Sequence, residues 1–307
     1  MTGASGAGSD DAPAPAALEP VELELAGRRV AGLRTPARDP SPRGAEAVPA
    51  PRLLCLHGWL DDAASFVPLA AHLAGVELVA IDLPGHGLSD HAEAGYTLFD
   101  MALAARRAIA ALGWERCTVV GHSLGANVGA WLAAAAPDAV DGLVLIEGLG
   151  PYTEEAEALP ARLGRAFADR LDPARFAARA FPDLDAAVDH RLARAPMAPA
   201  SARLIMERQC EALDGGGVRW RFDPALRHAS AEYRTEAQAL AVLGAIACPT
   251  LVVLAEDGLP LARPETGARL AALGDACAVR LPGRHHLHMD GPGPVARELI
   301  GFLGAAR

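Results

Sequence analysis

Val21-Glu22-Leu23-Glu24-Leu25 sets apolar and acidic residues at a strict period of two, the pattern of a strand buried on one face. A second strand is expected around Arg29 to Leu33. Beyond residue 51 the pattern changes to continuous apolar runs: Leu53–Leu56, Leu78–Ile81, Thr118–Val120, Leu143–Ile146, Leu251–Leu254 and Ala278–Leu281. Segments of helical period separate them, such as Leu98 to Leu112 and Ala126 to Ala136. Strands that are apolar on both faces and alternate with helices predict an α/β fold: a mostly parallel eight-stranded sheet flanked by helices on both sides. Reactive residues of such sheets gather at the carboxyl ends of strands. His57, Asp82, Gly121, Glu147 and Glu256 all fall at such ends.

Two stretches depart from this rhythm. Residues 1–20 are rich in Gly, Ala, Ser, Asp and Pro without apolar periodicity and predict a disordered tail, and a loop rich in Pro and Ala is expected from about 36 to 51. Residues 151–240 carry short helical patterns split by Pro160, Pro173, Pro182, Pro196 and Pro199, a Gly215-Gly216-Gly217 hinge and no convincing strand. They predict a helical cap inserted after the sixth strand, between core segments 21–150 and 241–307. Phe167, Phe181, Met197, Met206 and Trp220 of this insertion either line a pocket or, the safer default, pack the cap onto the core.

Composition narrows the function classes. Hydrophobic residues make up 51% of 307, enough for one large core. The formal charge is -10 and all 28 basic residues are arginine, so a basic nucleic-acid-binding face is not expected. Between Pro151 and Arg234 the 13 arginines balance 13 acids, leaving the excess negative charge on the rest of the chain. The absence of an apolar run of about 18 residues, and of a basic segment followed by an apolar one at the N-terminus, points to a cytoplasmic protein without membrane partners. Five cysteines without C-x-x-C spacing fit reduced thiols, Cys55 and Cys117 being small core residues.

The candidate chemistry centres on Gly121-His122-Ser123-Leu124-Gly125, between Val119-Val120 and the small-residue run from Ala126. A strand, a tight turn and a helix in this order force the serine into a strained conformation and expose its hydroxyl, while the flanking glycines let strand and helix cross closely. A serine nucleophile needs a base and a group that orients that base. His285, in Pro282-Gly283-Arg284-His285-His286-Leu287-His288 after the last strand, is the favoured base and His286 the fallback. Read as a metal motif, His-His-x-His lacks helical i, i+4 spacing and an obvious carboxylate partner, so neither metal nor cofactor is expected. His288 is assigned to packing or to supporting the base.

The acid is ambiguous. Leu254-Ala255-Glu256-Asp257-Gly258 ends the strand that usually carries it, yet glycine occupies the common acid position, 258. Glu147, at the end of Leu143–Ile146, is favoured, with Asp257 and Glu256 as alternatives. The backbone N–H groups of Leu124 and Trp59 are candidate oxyanion donors. The Trp59 indole is expected in a pocket wall or in the core. His57 is expected to orient its loop, and the Asp82-Leu83-Pro84-Gly85-His86-Gly87 turn is assigned no chemistry.

Together with His57-Gly58-Trp59-Leu60-Asp61-Asp62-Ala63-Ala64-Ser65-Phe66 and Arg219-Trp220-Arg221-Phe222-Asp223-Pro224, these motifs resemble those of the α/β-hydrolase superfamily, most closely its serine hydrolase-like group, over about residues 20 to 305. The resemblance implies a carboxylic ester hydrolase with a helical cap, Ser123 as nucleophile and His285 as base. The expected substrate is a small ester-like molecule cleaved through an acyl-enzyme. Thioesterase, lactonase, amidase and carbon-carbon hydrolase chemistry use the same residues. The alternatives are a non-catalytic ligand-binding relative, motivated by Gly258, and a cofactorless perhydrolase. Oligomeric state is not readable.

Overall fold

The computed structural model describes residues 18–36, 50–93 and 95–305. The strand pattern organises one eight-stranded sheet. Its members are β1 (Glu19–Glu24), β2 (Arg29–Arg34), β3 (Arg52–Leu56), β4 (Glu77–Ile81), β5 (Cys117–His122), β6 (Val140–Ile146), β10 (Thr250–Ala255) and β11 (Ala276–Leu281). Their spatial order is β1-β2-β4-β3-β5-β6-β10-β11. β1 pairs antiparallel with β2 and β2 antiparallel with β4, and every other pairing is parallel. The expected disordered tail, 1–20, extends too far: Glu19 and Pro20 already belong to β1, where Glu19 pairs with Arg34. Residues 1–17, and residues 37–49 of the Pro-rich loop, lie outside the described part.

The difference between half-buried and continuous patterns follows from position in the sheet. β1, at the edge, alternates between partly buried and exposed residues, whereas β5 is buried throughout. Two apolar layers cover the faces. One packs β-strand residues such as Leu54, Val119 and Leu143 against α2 (Leu98–Ala111) and α3 (Leu124–Ala135). The other packs Leu53, Val120 and Val144 against α1 (Val67–Ala70) and α10 (Pro292–Ala305). Cys55 and Cys117 are buried in these layers as expected, and no helix among the described residues is long and apolar enough to cross a membrane.

The segment after β6 contains α4 (Leu159–Leu171), α5 (Leu184–Leu192) and α6 (Pro199–Gln209). Contrary to the expectation of no strand, it also carries a small antiparallel sheet of β7 (Ala180–Phe181), β8 (Cys210–Ala212) and β9 (Val218–Trp220). These strands are two or three residues long, too short for an alternation to register. Phe181, Met206, Met197 and Trp220 pack in an apolar cluster that takes in Met289 of the core, Trp220 also packs on the main core cluster, and Phe167 is exposed. α7 (Glu236–Gly244) already lies against α3 and α8 (Thr266–Ala272), so the helical layer resumes at 236. Arg269 of α8 ties the chain after β6 in place through the carbonyls of Leu149 and Pro151 and the Glu236 carboxylate.

Candidate active site

At the end of β5 the chain turns sharply into α3, and Ser123 takes the whole change of direction with φ 51° and ψ -110°. A non-glycine residue held there stores roughly 1–3 kcal/mol of strain. The surroundings enforce it: the Ser123 N–H donates to the Ile146 carbonyl at 2.9 Å. The flanking glycines permit it. A Cβ at Gly121 would stand 2.5 Å from the Ala126 nitrogen, and one at Gly125 would overlap the Leu56 carbonyl and lie 2.8 Å from that of His57.

His285 enters from the loop between β11 and α9 (Leu287–Asp290). Its Nε2 lies 3.0 Å from Ser123 Oγ, and its Nδ1 lies 3.1 Å from Glu147 Oε2. Glu147 follows β6 and has a fully buried side chain. Its carboxylate also accepts the Ala255 N–H at 2.7 Å and the Leu259 N–H at 3.0 Å, so it is fixed as an acceptor facing the ring. That arrangement holds the tautomer with a proton on Nδ1 and a lone pair on Nε2 toward the serine. Asp257 and Glu256, the alternative acids, are exposed and make no hydrogen bond with His285 among the described residues. His286, the fallback base, turns away to Asp61.

Gly258, the departure that made the acid ambiguous, has a steric explanation. A Cβ on it would meet both Glu147 carboxylate oxygens and stand 2.5 Å from Cδ. Residue 258 is bare because a carboxylate from the neighbouring strand fills its space. Sequence spacing alone cannot register that exchange, since β6 and β10 are paired in space and distant along the chain.

The N–H groups of Trp59 and Leu124 donate to no protein acceptor among the described residues. The loop bearing Trp59 is strained at Leu60, φ 57°. The inserted segment braces it: Gln209 Nε2 donates to the Leu60 carbonyl at 2.7 Å, and Arg191 pairs with Asp61. The Trp59 indole is 52% exposed, so it is not core filling, and it donates to the Leu226 carbonyl. His57 orients this loop as expected: Nε2 accepts the Leu83 N–H at 2.9 Å, and Nδ1–H donates to the Gly58 carbonyl. Asp82 braces the loops through the N–H groups of Ala63 and Leu88 and through Arg208 at 2.8 Å. Beside the serine lies a small open cleft whose lining includes Asn127, Tyr152, Leu259 and Arg263.

Sequence reasoning missed a buried cluster behind this site. Asp61, His122, His286 and His288 are all buried. Asp61 Oδ2 is 3.2 Å from His286 Nε2 and 3.7 Å from His122 Nδ1, and His122 Nε2 lies 2.8 Å from the His285 carbonyl. Burial opposes the Asp61 charge, but Arg191 and His286 overcome it and hold the carboxyl well below its usual range. The carboxylate absent beside the histidines in sequence thus arrives from the loop after β3.

Four buried histidines impose a pH dependence on stability. Burial is the main cause holding His57 and His122 below the ordinary imidazole value, and it pushes His86 and His288 down to about 3. An unfolded histidine titrates near ~6.5, so between about pH 6.5 and 3 the unfolded chain takes up protons that the folded chain refuses, and stability falls as pH falls. At pH 5 His86 and His288 alone remove about 4 kcal/mol. Burial holds the Asp62 carboxyl well above its usual range, so the folded chain takes up that proton more readily and offsets part of this loss; calorimetry is expected to show Tm lower by several degrees, about 4 °C or more, at pH 5 than at pH 7.5. An unchanged Tm across that interval contradicts this account.

Comparison with known proteins agrees with the fold. Residues 51–292 match the alpha/beta hydrolase fold family. A serine hydrolase-like protein of Danio rerio is 30% identical over 264 residues, spanning 82% of this chain and 81% of that protein. The crystal structure of a hypothetical protein from Pseudomonas aeruginosa PAO1 is similar with a TM-score of 0.84 at 36% identity, covering 94% of this chain and 100% of that one. A thioesterase domain from the curacin biosynthetic pathway follows at TM-score 0.75 and 27% identity, covering 92% of this chain and 99% of that domain. With most of its length matched by sequence and by architecture, the chain is a hydrolase of the alpha/beta hydrolase fold family, in its serine hydrolase-like group.

Proposed function

We propose that this protein hydrolyses small carboxylic esters through Ser123, His285 and Glu147, without a cofactor. The observation that carries the reading is the continuous hydrogen-bond line from Ser123 Oγ through both nitrogens of His285 to the buried Glu147 carboxylate, 3.0 Å and 3.1 Å. His285 Nε2 takes the serine proton as Oγ attacks the ester carbonyl. The resulting oxyanion accepts the Leu124 and Trp59 N–H groups, each such donor contributing ~10²–10³ in turnover. His285 then returns the proton to the departing alcohol, leaving an acyl-serine. Water, deprotonated by the same nitrogen, attacks the acyl carbonyl, and the proton passes from His285 to Ser123 Oγ as the acid departs. Throughout, Glu147 holds the ring orientation and stabilises the imidazolium.

The segment after β6 acts as a cap, bracing the loop that carries the Trp59 donor. Asn127, Tyr152 and Arg263 beside the serine suit a compact, polar substrate better than a long acyl chain. Gly258 argues against a non-catalytic relative, because the acid is supplied from position 147 in the space that glycine leaves. A fluorophosphonate probe is expected to label the protein at Ser123, located by peptide mass spectrometry. Esters of graded chain length, with thioester and amide counterparts, are expected to show turnover highest for short acyl esters. A folded protein that remains unlabelled and inactive across the panel refutes the reading.

A further inference from the structure

We propose that Asp61, His122 and His286 form a buried site for one divalent transition-metal ion, with His288 beside it. The three side chains bring one ligand atom each to within 4.8 Å of one another. Zinc bonds of about 2.1 Å in a tetrahedral centre separate ligand atoms by about 3.4 Å. The distances from Asp61 Oδ2, 3.2 Å to His286 Nε2 and 3.7 Å to His122 Nδ1, bracket that separation.

Two further features point to a cation. First, the tautomer of His122 is set by the backbone: Nε2 faces the His285 carbonyl at 2.8 Å and must donate, so Nδ1 carries a lone pair. That lone pair faces a carboxylate oxygen and makes no hydrogen bond among the described residues. Two electron-rich atoms at 3.7 Å repel unless a cation joins them, and metal-binding histidines commonly donate their other ring N–H to a backbone carbonyl. Second, Arg191 holds Asp61 Oδ1 and leaves Oδ2 toward the histidines. Ligating carboxylates are typically held by such an outer partner.

When the ion binds, the His286 proton moves from Nε2 to Nδ1, Nε2 becomes a ligand, and the ring stays neutral. Two imidazole ligands favour zinc, cobalt or copper over magnesium and calcium. His122 precedes Ser123 and holds the His285 main chain, and His286 follows His285. Occupancy therefore strains both reacting residues and lowers turnover. That last consequence rests on the proposed hydrolysis; binding does not.

The protein is stripped with EDTA, incubated with Co²⁺ or Zn²⁺ and desalted, and its metal content and Co²⁺ visible absorption are recorded. The expected result is about one ion per chain, with the d–d bands of a four-coordinate centre. His286→Gln and Asp61→Asn are expected to bind at least tenfold more weakly. Asp61→Asn leaves Arg191 unpaired, so His286→Gln, which keeps that ion pair, is decisive once circular dichroism shows it folded. Wild type that retains no ion overturns the proposal. So does folded His286→Gln that binds as tightly as wild type.

Discussion

Ser123→Ala is expected to lower ester turnover by about 10⁴-fold or more, since removing the nucleophile from a serine–histidine–acid unit leaves only the contribution of the oxyanion donors and binding. KM should change little, because the oxyanion loop and the cleft beside Asn127 and Arg263 are untouched. The same position offers a stability test. Ser123 sits at φ 51°, and alanine keeps that strain while glycine removes it. Ser123→Gly should therefore be as inactive as Ser123→Ala but more stable than wild type, by up to about 1–3 kcal/mol. Steady-state rates and Tm for the two variants decide the matter. Residual activity within tenfold of wild type in either variant places the nucleophile elsewhere.

Glu147→Gln should cost roughly 10³–10⁴ in kcat, the loss seen when an orienting carboxylate becomes an amide that no longer holds the working tautomer. Gly258→Ala is expected to lose at least roughly 10² by displacing the same group, although the alanine itself touches no substrate. Gly258 does not occupy the left-handed backbone region, so the loss comes from the Cβ entering the space of the Glu147 carboxylate. Asp257→Asn and Glu256→Gln should leave kcat within about twofold, as exposed charges away from His285. In the Glu147→Gly background, Gly258→Asp supplies a carboxylate from β10 and should restore part of the lost rate. A crippled Asp257→Asn, or a Glu147→Gln with near-normal kcat, would reverse the assignment.

The legibility of this chain divides along the range of the interactions. Alternation in β1, continuous apolar runs in β5 and β10, and helical period between them were readable because burial of a strand face or helix stripe is set by residues close in sequence. Ser123 was readable for the same reason: strand, glycine, serine, glycine and small residues specify one local turn. The strands of the inserted segment were not, being two or three residues long and stabilised by pairing with one another.

What the sequence determined by itself was the parallel core, the strained serine turn and a histidine loop at the end of β11. Only the tertiary structure decided which carboxylate meets that histidine. Parallel pairing of β6 with β10 puts Glu147 into the space Gly258 leaves, a relation between residues 111 positions apart that no local spacing encodes. It likewise decided that Asp61 meets His122 and His286, since that contact exists only after the end of β5 and the loops following β3 and β11 come together at the carboxyl ends of the strands. Local pattern specifies elements because their hydrogen bonds and burial are short-range, whereas a site assembled from strand ends is specified by the order and register of the strands.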